Sequence, residues 1–170
     1  MNPLTVIVTV LLMQAPQHPS MPPGMSHEEH LKQMKQDEEL KTRGAGAMGF
    51  DQDATTHHFR LTPTGGSIEV TAKSPGDAAL LAAVRSHLTS IAGEFAQGRF
   101  DKPFQTHDEV PPGVPEMTRR RAAITYRYEE LTDGAAVRIE TKDRRARQAV
   151  HDFLRYQVRE HHTGDPLDIK

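Results

Sequence analysis

Apolar and polar residues alternate along two neighbouring stretches of the chain and then change period. In His57-His58-Phe59-Arg60-Leu61-Thr62 the inward positions are Phe59 and Leu61, with His57 on their face and His58 on the wet one. In Ser67-Ile68-Glu69-Val70-Thr71-Ala72 they are Ile68, Val70 and Ala72. A period of two marks strands with one solvated face. Gly65-Gly66 lies between them and can supply the positive φ of a two-residue hairpin turn. Such a turn pairs Leu61 with Val70 and Phe59 with Ala72, both on the buried face. Leu81, Val84, Leu88, Ile91 and Phe95 then recur at helical spacing. Ser74 is the expected N-cap, Pro75 suits the first helical position, Asp77 completes a capping-box-like pattern and Gly98 stops the helix.

The same order returns later. Ile124, Tyr126 and Tyr128 point inward from one strand, Asp133-Gly134 signals the turn, and Val137 and Ile139 point inward from the next. A register about Asp133-Gly134 sets Glu129 opposite Arg138 and Arg127 opposite Glu140, two attractive pairs. Asp143 can cap a helix carrying Ala146, Val150, Phe153, Leu154 and Val158. The pattern predicts an α+β fold in which two ββα units, 56–98 and 122–163, form a four-stranded, largely antiparallel sheet with two helices on one face. The other face would carry His58, Arg60, Glu69, Arg127, Glu129, Arg138 and Glu140. Val84-Arg-Ser-His-Leu88 echoes Val150-His-Asp-Phe-Leu154; duplication and independent convergence both account for the likeness.

The flanks differ in character. The domain covers residues 50–170. Its connection, 100–121, holds Pro103, Pro111, Pro112 and Pro115, a density that favours stiff, extended backbone. Arg119-Arg120-Arg121 reads as a solvated strand entrance. Residues 16–49 form an arm too poor in apolar positions to bury a face, so the chain after Gly49 is expected to fold without it. Ser26-His27-Glu28-Glu29 has capping-box form and predicts a solvated helix over 26–43, broken by the glycines between Gly44 and Gly49. Residues 1–15 contain a short apolar run, 4–13, that resembles the core of an export signal and addresses the protein to the periplasm or outside. The alternative is a hydrophobic first strand of a cytoplasmic protein. The run is too short for a membrane span.

Composition narrows the chemistry. The 170 residues suffice for one core, and a net charge of −2 gives no field that selects nucleic acid. There is no cysteine, which excludes disulfides, thiolate zinc sites and cysteine nucleophiles. No nucleophile elbow, Ser-x-x-Lys motif or phosphate loop marks an enzyme.

Ten histidines are the feature that stands out. His87 and His151 lie mid-helix and read as structural. His57 or His58, His107, and His161 or His162 come from a strand start, a stiff loop and a helix end, which can meet at one end of a two-layer fold. Neutral imidazoles at that point suit copper, zinc or iron, and Met48 or Met117 can add a soft ligand. His18, Met21, Met25, His27, His30 and Met34 give the arm a similar ligand set, one suited to copper. The expectation is an exported protein that binds or handles a transition metal, copper or zinc. The alternative is a non-catalytic module that meets a protein partner through its charged sheet face, with unrelated surface histidines.

Three segments carry a resemblance: Phe50-Asp-Gln-Asp-Ala-Thr-Thr-His-His-Phe59, Val110-Pro-Pro-Gly-Val-Pro115 and Phe153-Leu-Arg-Tyr-Gln-Val-Arg-Glu-His-His-Thr-Gly-Asp165. Over residues 48–166 the chain resembles an uncharacterised family of small, often exported bacterial proteins. The resemblance implies export and no particular activity.

Overall fold

The computed structural model describes residues 24–74 and 76–169. The apolar run at 4–13, His18, Met21 and Pro75 lie outside them. The chain divides into two units within its first helix, Met1–Lys35 and Gln36–Lys170.

The described part of the first unit is helical. Helix α1, His27–Met48, starts on the expected capping box: Ser26 N donates to Glu29 Oε2 at 2.9 Å and Glu29 N donates to Ser26 Oγ at 3.2 Å. The helix does not break at Gly44. It continues to Met48, and Gly44 is buried where a Cβ would run into the Gln52 side chain. That glycine makes room for a neighbour.

The second unit is α+β. Strands β1 (Thr55–Thr62), β2 (Gly65–Ala72), β3 (Ile124–Leu131) and β4 (Gly134–Thr141) form one antiparallel sheet in the order β1-β2-β4-β3. Helices α2 (Ala78–Ala96), α3 (Asp101–His107), α4 (Val114–Arg119) and α5 (Arg144–Glu160) complete it with the last turns of α1. The inward positions are those the alternation selects: Phe59, Leu61, Ile68, Val70, Val137 and Ile139 are buried. They pack against Val84, Leu88, Ile91 and Phe95 of α2 and Val150, Phe153, Leu154 and Val158 of α5. Phe95 meets Phe153 edge-on, ring centres 5.9 Å apart. Asp77 caps α2 through Leu80 N, in place of Ser74, and Asp143 caps α5 through Arg145 N and Ala146 N.

Both hairpins turn earlier than their glycines suggest. The first turn is Pro63-Thr64, so Leu61 faces Gly66 rather than Val70, and Phe59 faces Ile68. The second is Thr132-Asp133, so Arg127 faces Arg138, and Glu129 faces Ala136 rather than Arg138. The glycines serve the sheet instead. A Cβ on Gly66 would strike the Arg60 carbonyl oxygen and Leu154 Cδ1, and one on Gly134 would strike the Val70 carbonyl oxygen. Arg85 holds the second turn from α2, donating through Nη2 to the Leu131 carbonyl at 2.9 Å. In both hairpins the partner moves by an even number of residues, so no side chain changes face.

The proline-rich connection is helical rather than extended. Pro103 lies in the first turn of α3 and Pro115 in that of α4, where a missing N–H leaves no helical bond unmade. The prolines start the helices. Among the described residues no helix is long and apolar enough to cross a membrane.

Candidate functional site

The charged sheet face pairs with itself. Arg138 donates to Glu69 at 2.6 Å and to Glu129 at 2.8 Å, and Arg60 reaches Glu69 at 3.3 Å. Burial alone would raise the Glu69 pKa, but hydrogen bonds from Ser67 and Arg138 bring it below the usual range. Arg127, 61% exposed, reaches Glu129 only at 3.7 Å.

The histidines behave differently. His57 enters from β1, His107 from the last turn of α3 and His161 from the C-cap of α5. His57 and His161 stack at 6.0 Å between ring centres, and His107 meets His161 edge-on at 5.1 Å. The fold therefore brings three of the five sequence candidates together. His58 points away and binds Asp165 at 3.0 Å; His162 lies 3.5 Å from Asp37. His87 of α2 also lines the same cavity, with Phe50 edge-on to it at 5.6 Å. Sequence reasoning treats His87 as core; what it misses is Phe50, whose placement depends on the 3-10 turn before β1. His151 is a core residue, with Nε2 3.0 Å from the Thr62 carbonyl.

The cavity holds about 60 Å³ and is lined by the four imidazoles, Met48, Gln157 and an apolar wall that includes Leu88, Ile91 and Phe153. Organic ligands of drug size occupy several hundred Å³, roughly 300–1,000 Å³, so this space suits an ion or one or two waters. Its electrostatics keep the rings uncharged. Burial pushes the His57 pKa down to about 4, reinforced by His58 and Lys73. Burial pushes His87 to about 4 and His161 to about 3. His107 is lowered by burial against the opposing bond from Gln157.

Two ring nitrogens are left over. His57 Nε2 and His107 Nδ1 are both out of solvent contact and without a hydrogen-bond partner among the described residues. His107 Nε2 lies 3.1 Å from Gln157 Oε1. An amide oxygen only accepts, so this contact puts the proton on Nε2 and leaves Nδ1 as a bare lone pair. Among the described residues no three His, Asp or Glu side chains are set as a metal-holding group. Met48 lines the cavity, whereas Met117 is fully buried in the core.

No protein-family model matches the chain, and neither a curated protein nor a solved structure matches it.

Proposed function

We propose that this protein binds a soft first-row transition metal ion, Cu(I) in preference to Zn(II), in the cavity between His57, His107 and His161. The observation that carries the reading is the pair of buried, unpartnered nitrogens, His57 Nε2 and His107 Nδ1, on two residues that line one ion-sized cavity. A buried polar group left unsatisfied costs about 1–3 kcal/mol, a cost that ligation would remove. The rings are held neutral, and a neutral imidazole is the form that ligates. Imidazole nitrogens must come to about 2.0–2.1 Å from a zinc ion, so binding draws the rings inward from their present spacing. The Met48 thioether and the apolar wall favour Cu(I) over a harder ion.

The wider reading belongs to the same proposal. Units 56–98 and 122–163 are two ββα units, with α2 and α5 on one face and the histidine cavity at one end of that layer. The contact between Phe95 and Phe153, and the strand order that places β2 beside β4, support it. Residues 1–15 export the chain, and the function is metal handling in the periplasm or outside the cell.

Competition titration of Cu(I) and Zn(II) against a chelator, using the full chain, tests the reading. One tight Cu(I) equivalent that weakens by about tenfold or more with His107→Ala or His161→Ala supports it. Equal affinity in both variants and the unchanged protein would remove the site.

A further inference from the structure

The two edges of the sheet are treated differently. In a two-residue hairpin the closing pair is hydrogen-bonded across the strands, and every second residue then turns its N–H and C=O outward. On β1 the closing pair is Thr62 and Gly65, so Phe59 faces outward. Its amide is taken: Phe59 N donates to Asp165 Oδ2 at 3.0 Å, and Thr163 Oγ1 steadies the same oxygen at 2.8 Å. On β3 the closing pair is Leu131 and Gly134, so Ile124, Tyr126, Tyr128 and Glu130 face outward. Ile124 N, at the strand entrance, donates to the Arg121 carbonyl. β3 pairs with β4 alone, and among the described residues no hydrogen bond covers the outward amides of Tyr126, Tyr128 and Glu130 as Asp165 covers that of Phe59. The edge is eight residues long and contains no proline.

An open edge of this kind is a template for another strand. Its charges decide which. If two copies of β3 pair antiparallel, the outward groups must face each other, which restricts the two-fold axis to a few positions. An axis through Arg127 sets Arg127 against Arg127, and one through Glu129 sets Glu129 against Glu129; like charges directly opposite are destabilising. An axis through Tyr128 sets Arg127 against Glu129 twice, with Thr125 against Leu131 and Tyr126 against Glu130. Arg127 and Glu129 fall there at the non-hydrogen-bonded pairs, where side chains are closest. Both are on the wet face, with side-chain exposures of 61% and 36%; Glu129 already accepts from Arg138 at 2.8 Å, and the other copy's Arg127 would add to that pair rather than replace it.

We propose that the β3 edge is a homodimer interface in which two copies join their sheets about a two-fold axis at Tyr128, giving one eight-stranded antiparallel sheet. The register is fixed by reciprocal Arg127–Glu129 pairs. The proposal does not depend on the metal site.

Arg127→Glu separates this from an ordinary effect on folding. Within one chain Arg127 faces Arg138, so the substitution turns a repulsive cross-strand pair into an attractive one. It replaces the 3.7 Å Arg127–Glu129 contact along the same strand by two neighbouring carboxylates, an exposed like-charge pair of small worth that Arg138 offsets. Across the dimer the introduced carboxylate meets Glu129 of the other copy twice. The test is sedimentation velocity on the full, metal-free chain over a concentration series, with thermal melts alongside. The unchanged protein should run at twice its 19.0 kDa mass at the top of the series. Arg127→Glu should raise the dimer dissociation constant by about tenfold or more with an undiminished melting temperature, Arg127→Ala should be intermediate, and Arg144→Glu on α5, an equal change of charge, should leave it unchanged. A monomer at every concentration, or an Arg127→Glu protein that dimerises as tightly as the parent, overturns the proposal.

Discussion

His107 and His161 meet edge-on, 5.1 Å between ring centres with planes at 81°, although 54 positions of sequence numbering separate them. Two helix ends make the contact: the last turn of α3 delivers His107 and the C-cap of α5 delivers His161. Each ring has an aromatic neighbour. Tyr156 packs edge-on against His107 at 5.0 Å and is itself held through its hydroxyl to Glu109 at 2.6 Å, while Phe59 lies 5.5 Å from His161.

This packing predicts acid sensitivity of the metal-free protein. His57, His87 and His161 are neutral when folded, with pKa values near 4, 4 and 3, while the unfolded chain takes up protons near pH 6.5. Below pH 6.5 the unfolded state binds more protons, so stability falls as pH drops from 6.5 towards 4, each group contributing up to about 1.4 kcal/mol per pH unit. Denaturant midpoints measured between pH 7 and 4.5 check this, and His57→Gln with His161→Gln should flatten the slope. A pH-independent midpoint would contradict the burial of these rings.

The glycines give a stability prediction. Gly66→Ala puts a methyl group against the Arg60 carbonyl and Leu154, and should cost about 1–3 kcal/mol. Gly93→Ala, in α2 with nothing near its would-be Cβ, should instead stabilise by about 0.5–1 kcal/mol. Urea unfolding of the two variants should therefore move in opposite directions.

Much of this fold was legible in the sequence, and the reasons for the misses are specific. The inward faces of all four strands followed from alternation, and the α5 stripe from its spacing with Asp143 as cap. The registers did not follow, because Gly66 and Gly134 look like turn residues and are in fact required by the packing of strand against strand and helix against sheet. Prolines 103 and 115 look like helix breakers and sit in first turns. For the site, alternation put His57 on the inward face while leaving His57 and His58 both candidates, and helix-end placement suggested His161 or His162. Nothing local distinguishes His161 from His162; the chain leaves α5 with His162 at φ 48°, which turns it towards Asp37.

The last turns of α1 group with the second unit, although the sequence pattern starts the domain at residue 50. Arg43 Nε donates to the Thr106 carbonyl at 3.0 Å, and Met48 packs on the core. Removing residues 1–35 should leave the melting temperature within a few degrees, whereas removal through Met48 should lower it by roughly 3–5 °C for each kcal/mol lost. Equal melting temperatures for the two truncations would mean that this helix contributes nothing.

Asp165 should act as a clasp on the β1 edge. It binds Phe59 N, His58 and Thr163 together. Asp165→Ala leaves an outward amide and an imidazole unpaired and should cost about 1–3 kcal/mol in chemical denaturation. A loss below a few tenths would show that the tail merely rests there.

The central claim is that His57 and His107 ligate an ion through the ring nitrogens that now have no hydrogen-bond partner among the described residues. Long-range nitrogen–proton correlation spectra of the imidazoles test it most directly, because Cu(I) and Zn(II) are both diamagnetic. In the metal-free protein His107 should show a protonated Nε2 and a bare Nδ1, as its contact with Gln157 requires. On adding one equivalent of Cu(I), the account predicts that His107 Nδ1, His57 Nε2 and a nitrogen of His161 shift together, while His58, His151 and His162 keep their positions. Shifts confined to His27 and His30 of α1, with the three cavity rings unmoved, would contradict it.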